Sequence, residues 1–109
     1  MPSYQSVLDA LGDPTRRAIV EALRGGPVAV GRIADGLPVS RPAVSRHLRV
    51  LAEAGLVRVQ AVGSRHLYAL DPEGLEAIRA YFDEMWAGAL ANLKSEAEEA
   101  SDFADGQQP

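Results

Sequence analysis

The chain has no cysteine among its 109 residues, which excludes disulfides, thiol redox switching and thiolate-bound metal. No stretch approaches the ~20 apolar residues that span a bilayer. Met1-Pro2-Ser3-Tyr4-Gln5 carries neither the basic flank nor the apolar run of a secretory leader. Internal repeats are absent, and low complexity is confined to the end of the chain. Together these absences predict a cytoplasmic protein with no membrane partner and no cofactor. What is present fits one domain with a single core, since 47% apolar and 24% charged residues is a globular balance.

The net charge is −4, which argues against a phosphate-binding surface until the chain is divided. Residues 1–70 hold nine arginines and five acids, whereas residues 71–109 hold Arg79 and Lys94 against ten acids. A basic front and an acidic back suit a domain that faces phosphate on one side and solvent on the other. Charge alone leaves a merely solvated asymmetry equally open.

Periodicity divides the chain into seven elements. Val7, Leu8 and Leu11 give a short first helix over Ser3 to Leu11. Asp13-Pro14 reads as an N-cap and a first-turn proline, opening a second helix that Gly25-Gly26-Pro27 stops. That helix is expected to bury Ala18, Ile19, Ala22 and Leu23. Val28 to Leu37 holds a third, poorly capped helix with Val30, Ile33, Ala34 and Leu37 inward. After the break Pro38-Val39, Ser40 caps a fourth helix from Arg41 to Ala54, ended by Gly55 in the left-handed region. Val57–Val62 and Ser64–Leu70 form a hairpin around Gly63. Asp71-Pro72 opens the last helix, whose apolar stripe runs to about Ala97. The predicted order is α-α-α-α-β-β-α, mainly helical with a small β-hairpin. Residues 1–100 form the domain, and 101–109 are read as a disordered acidic and polar tail.

A short helix, a tight turn, a capped helix and a hairpin together make a winged helix-turn-helix. At ~100° per residue the fourth helix turns Val44, Leu48 and Leu51 to one face. Pro42, Arg46, Arg49 and Glu53 lie opposite, with Ser45 and Arg41 on a flank. Arginine can read guanine edges with two hydrogen bonds, and serine can meet a base or a phosphate. Arg41, Pro42, Ser45 and Arg46 are therefore candidates for base edges of double-stranded DNA and Arg49 for a phosphate, and Ser40, at the helix start, is counted with them as a DNA-binding residue. Arg65 and Ser64 sit at the hairpin tip, where a wing reaches the DNA backbone or minor groove, and Arg58 can assist from the strand. For Arg16 and Arg17 a DNA-backbone contact, an ion pair and plain exposure stay open. His47 is expected to be half-buried in packing or hydrogen bonding, and His66 to be a strand-surface residue.

Leu11-Gly12-Asp13-Pro14-Thr15-Arg16-Arg17-Ala18-Ile19-Val20 closely resembles the opening of ArsR/SmtB-family repressors. So does Ser40-Arg41-Pro42-Ala43-Val44-Ser45-Arg46-His47-Leu48-Arg49-Val50-Leu51, followed by Ala54-Gly55-Leu56-Val57. The likeness covers about residues 5–95. It implies a dimeric repressor that binds an imperfect inverted repeat near its own promoter and releases it when an inducer binds. By the same resemblance Arg41, Pro42, Ser45 and Arg46 occupy recognition-helix positions and Arg65 the wing position. Metal-sensing members place cysteines around the third helix, where this chain has Val28-Ala29-Val30-Gly31-Arg32-Ile33-Ala34-Asp35. Others use Asp and His pairs on the last helix, which here lacks histidine; His47 and His66 lie elsewhere. Trp86-Ala87-Gly88-Ala89-Leu90-Ala91-Asn92-Leu93-Lys94 looks like a metal-free branch. No metal site is expected, and the sequence names no inducer, so simple autorepression stays open.

The last helix has a wider apolar stripe than a chain this small can cover. Tyr81, Phe82, Met85 and Trp86 would form an aggregation patch if left bare. Pairing of Leu8, Leu75, Ile78, Tyr81, Phe82, Met85, Trp86, Ala89 and Leu93 with the same surface of a twin subunit is the economical reading. An enzyme is not expected. Ser45 and His47 point apart at i and i+2, and there is no Gly-rich phosphate loop. A winged helix used for protein binding would want an apolar or acidic recognition face, whereas this one is cationic. A regulator of another family, sensing an organic ligand, would differ mainly in topology.

Overall fold

A computed structural model describes the backbone of residues 1–106 and the side chains of residues 1–102. Its elements are α1 (Tyr4–Ala10), α2 (Pro14–Ala22), β1 (Val28–Ala29), α3 (Val30–Asp35), α4 (Arg41–Glu53), β2 (Val57–Val62), β3 (Arg65–Leu70) and α5 (Pro72–Gly106). Helix starts fall where short polar side chains meet orphan backbone donors. The Asp13 carboxylate accepts from the Arg16 N–H at 2.9 Å, and the Ser40 hydroxyl from the Ala43 N–H at 3.2 Å. Asp71 does the same for Glu73 at 3.0 Å. Gly55 at φ 82° and Gly63 at φ 63° take the left-handed conformation that ends α4 and turns the hairpin.

The mainly helical winged helix-turn-helix is the expected architecture, with one addition. The helix predicted from Val28 begins at Val30, because Ala29 offers no side-chain cap. Val28 and Ala29 instead extend along the open edge of β3, pairing antiparallel with Tyr68 and Leu67. The sheet thus has three strands in the order β1-β3-β2. In α2, Ala22 is exposed rather than inward, and Val20 packs toward the core.

The core gathers Val7 from α1, Ile19 from α2, Ile33 from α3 and Leu56 and Val57 around α4. Its centre is the back of α4, where Val44, Leu48 and Leu51 are each 0% exposed. Burying three large aliphatic side chains contributes about 1.5–3 kcal/mol apiece, which fixes the roll of α4 about its axis. Gly74 in the first turn of α5 approaches the Gly55 carbonyl so closely that a Cβ would overlap it.

By internal contacts the chain forms two compact units, Met1–Ile78 and a second beginning at Arg79, where the sequence reading draws one domain over residues 1–100. The division follows what α5 buries: Ile78 packs on the core cluster, while Phe82, Met85, Trp86, Leu90 and Leu93 are exposed. α5 also continues over residues 101–106, six positions given to the irregular tail, since no proline or glycine interrupts it between Gly88 and Gly106. Residues 107–109 of that tail lie outside the described residues.

Candidate nucleic-acid interface

The same burial that anchors α4 dictates which side chains leave the domain. With Val44, Leu48 and Leu51 inward, Arg41, Pro42, Arg46 and Arg49 are exposed and Ser45 is half-buried. Ser40, at the N-cap, is exposed and uses its hydroxyl oxygen on the Ala43 N–H. Four of these positions lie in the first two turns of a 13-residue helix, the part of a recognition helix that meets base edges. The Arg41 guanidinium is turned to α3: a Cβ built on Gly31 would lie 3.6 Å from it. Gly31 leaves room for that cation to rest across the first helix of the helix-turn-helix.

The wing has two distinct faces. Residues pair as Arg58↔Ala69, Gln60↔Leu67 and Val62↔Arg65 on one, and as Val59↔Tyr68 and Ala61↔His66 on the other. The second face looks at α4, because Val59 and Tyr68 line a shallow cleft with Ser45, Leu48, Arg49 and Ala52. Arg65 shares its face with Arg58, and both are exposed, as is Ser64 beside Gly63. His66 is exposed on the strand surface, as read from the sequence, on the face that carries Tyr68. Strand parity counted back from Tyr68 carries that signal.

Arg16 and Arg17 have a role the sequence left undecided. Arg16 Nε donates to the Ala10 carbonyl at 2.6 Å and Nη2 to the Asp9 carbonyl at 3.4 Å. Arg17 Nη1 donates to the Leu11 carbonyl at 2.8 Å. Both guanidiniums close the carbonyl end of α1, satisfying acceptors that a helix terminus leaves open. His47 is half-buried, as expected, with Nδ1 4.0 Å from Asp13 Oδ2. The Asp13 carboxyl is held below the usual carboxylate range, first by the Arg16 backbone N–H. The charges of His47 and Arg16 and the Thr15 N–H act in the same direction, and desolvation opposes them.

On α5, Leu75, Phe82, Met85, Trp86, Ala89 and Leu93 are exposed, with Trp86 at 67%. Leu8, Ile78 and Tyr81 are half-buried, and Ile78 is partly taken up by the core of its own subunit. The rings of Tyr81 and Phe82 stand 5.5 Å apart in a tilted pair. Among the described residues, no group of three histidine, cysteine, aspartate or glutamate side chains could hold a metal ion. Nor is any helix there long and apolar enough to cross a membrane.

A family model described as a helix-turn-helix domain matches residues 11–60, from the end of α1 into β2. An HTH-type transcriptional regulator of Mycobacterium tuberculosis, Rv2034, is 54% identical over 93 residues, covering 83% of this chain and 87% of that protein. The structure of an ArsR-like transcriptional regulator from Rhodococcus superposes with a TM-score of 0.72 at 32% identity, over 86% of this chain and 92% of the other. The homodimeric winged helix-turn-helix DNA-binding domain of Mb0332 from Mycobacterium bovis superposes with a TM-score of 0.60 at 27% identity, over 78% and 76%.

Proposed function

The chain belongs to the ArsR/SmtB family of winged helix-turn-helix transcriptional regulators, and from that premise we propose that it is a homodimeric repressor without a metal sensor, whose α4 enters the major groove of an imperfect inverted repeat. As a member of that family it is a DNA-binding transcriptional regulator and not an enzyme. The observation that carries the finer reading is the division of α4, with aliphatic side chains fully buried behind and Arg41, Arg46 and Arg49 exposed in front. In this reading Arg41, Pro42, Ser45 and Arg46 meet base edges and Ser40 and Arg49 meet phosphates. Arg65, Ser64 and Arg58 reach the flanking backbone from the wing.

Dimerisation is supported by the bare apolar side chains of α5 and by the homodimeric state of the Mycobacterium bovis domain. Two copies related by a two-fold axis would present two recognition helices to the two half-sites of an inverted repeat. Repression then follows from occupancy of promoter DNA. The metal-free reading is supported by Val28–Asp35, which offers no soft ligand where metal-sensing relatives have cysteine, and by the lack of histidine on α5.

A gel shift of the purified protein against its own upstream region tests this. A retarded band at low ionic strength, unchanged by excess Zn²⁺, is the expected result. Duplex left free at every protein concentration would overturn the reading, and release of the band by Zn²⁺ would overturn its metal-free part.

A further inference from the structure

A wall of sugar and phosphate separates each major groove of duplex DNA from the minor groove beside it. With α4 in the major groove and the wing reaching past its edge, that strand has to cross the space between α4 and the hairpin. Between them lies a cleft of about 260 Å³, lined by Ser45, Leu48, Arg49, Ala52, Val59 and Tyr68. We infer that this cleft is a phosphate subsite, in which the Tyr68 hydroxyl donates a hydrogen bond to a non-bridging oxygen of that strand, beside the Arg49 guanidinium. The inference rests on α4 being the helix that reads DNA, and it adds Tyr68 to the residues that touch the duplex.

Tyr68 is held from both sides of the sheet. It pairs with Val59 of β2 and with Val28 of β1, so its backbone is fixed at the centre of three strands. Its side chain stands on the face that looks at α4 and packs against the core cluster, which leaves it half-buried. A tyrosine in such a place buries its ring and needs a partner for its hydroxyl. Among the described residues that hydroxyl has no hydrogen-bond partner, yet no buried side-chain oxygen there is left unsatisfied, so the hydroxyl reaches the surface. On this face of the sheet the surface it reaches is the cleft. A phenylalanine would pack as well, so the hydroxyl is the part of Tyr68 that the fold does not use.

The lining of the cleft suits an anion. Its charged side chain is Arg49, exposed on the flank of α4, and no carboxylate lies beside it. Three other clefts each include an acid: Asp9 and Glu53 in one, Glu21 in the second, Asp83 in the third. Ser45 and Ala52 share the flank of Arg49 at helical spacing, and their small side chains leave the helix surface low where a strand would pass. Arg49 supplies charge from the end of a long flexible stem. Tyr68 supplies direction, because the sheet and the core fix its ring. Phosphate contacts of this kind set the register and orientation of a protein on its duplex, and here that means the seating of α4 in the groove.

Fluorescence anisotropy with a labelled duplex from the protein's own upstream region, and a scrambled duplex of equal length, tests this over a range of salt concentrations. Y68F is expected to bind both duplexes about three- to tenfold more weakly than the native protein. Its slope of log affinity against log salt should match the native one, because an uncharged hydroxyl displaces no counterion, whereas R49A should flatten the slope by about 0.9. The urea midpoint of Y68F should be unchanged, since the hydroxyl has no partner inside the fold. Replacing single phosphates of the duplex by uncharged methylphosphonates should find a position in each half-site where the native protein loses more affinity than Y68F does. Native affinity in Y68F overturns the inference, as does a loss confined to the protein's own duplex, which would put the hydroxyl on a base. A flattened salt slope or a lowered midpoint in Y68F also overturns it, because Tyr68 would then act through packing. A scan in which no phosphate between the two grooves matters to the native protein overturns it without any variant. Absence of binding to either duplex at low salt would instead strike down the DNA reading of α4, and this inference with it.

Discussion

Arg46 is exposed on the second turn of α4, diametrically across from the buried Val44–Leu48–Leu51 face. From there a guanidinium can reach a base edge with two parallel hydrogen bonds, which a phosphate contact would not need. Arg46→Ala should therefore cost ~1–3 kcal/mol of discrimination between the correct duplex and one altered at a single position. Competition binding with mismatched duplexes measures this. An equal loss on every duplex would make Arg46 a phosphate clamp. Gly74 is a residue of the opposite kind, important for what it lacks. A Cβ there would run into the Gly55 carbonyl, backbone that cannot swing aside as a side chain can. Gly74→Ala should destabilise the protein by about 1–3 kcal/mol, read as a lower midpoint of thermal or urea unfolding. An unchanged midpoint would mean that α5 starts farther from the end of α4.

Among the elements, the wing and α4 offer different chemistry to the proposed DNA. α4 offers mixed chemistry on one face of a helix, whereas β2 and β3 put Arg58 and Arg65 together on the face opposite Tyr68. Two cations on an exposed hairpin, with only the half-buried Gln60 between them, suit the sugar-phosphate backbone more than bases. Arg65→Ala should then weaken binding alike on all sequences. The slope of log affinity against log salt should flatten by about 0.9, one phosphate contact fewer. A salt slope identical to that of the native protein would remove Arg65 from the contact. The third strand strengthens this element: β1 pairs with β3, so the base of the wing is held from both sides and only its tip is free.

For the whole molecule, the question is what covers α5. Phe82, Met85, Trp86, Leu90 and Leu93 are exposed together on one helix, a larger apolar surface than isolated exposed residues would make. A stable pair of subunits needs about 1,200–2,000 Å² of buried surface, and large side chains at helical spacing can supply its centre. Trp86→Asp puts a charge in the middle of that surface and should convert the proposed dimer to monomers. Sedimentation velocity reads the change directly. A Trp86→Asp protein that still sediments as a dimer would move the interface elsewhere. The proposed dimer would also fix a length, because its two α4 helices would have to lie ~34 Å apart to enter successive major grooves on one side of the duplex.

Much of this was legible from local chemistry. The caps at Asp13, Ser40 and Asp71, the prolines beside them and the turn glycines at 55 and 63 mark element boundaries, since each acts on its own few residues of backbone. Helical periodicity likewise separated the buried back of α4 from its arginine face, and the resemblance at residues 11–20 and 40–57 led to the family. Other features depended on which distant segments meet, and no local pattern encodes that. Val28-Ala29 became a strand because the edge of β3 was free to receive it. Arg16 and Arg17 became caps for α1 because the turn at Gly12 brings its last carbonyls to them. His47 found Asp13 34 positions earlier in the chain because α2 and α4 pack together. Sequence by itself determined the helices, the hairpin and the two-faced character of α4, through short-range hydrogen bonding and apolar spacing. Tertiary structure alone decided which polar side chains face one another, because their partners are set by packing between elements far apart in the chain.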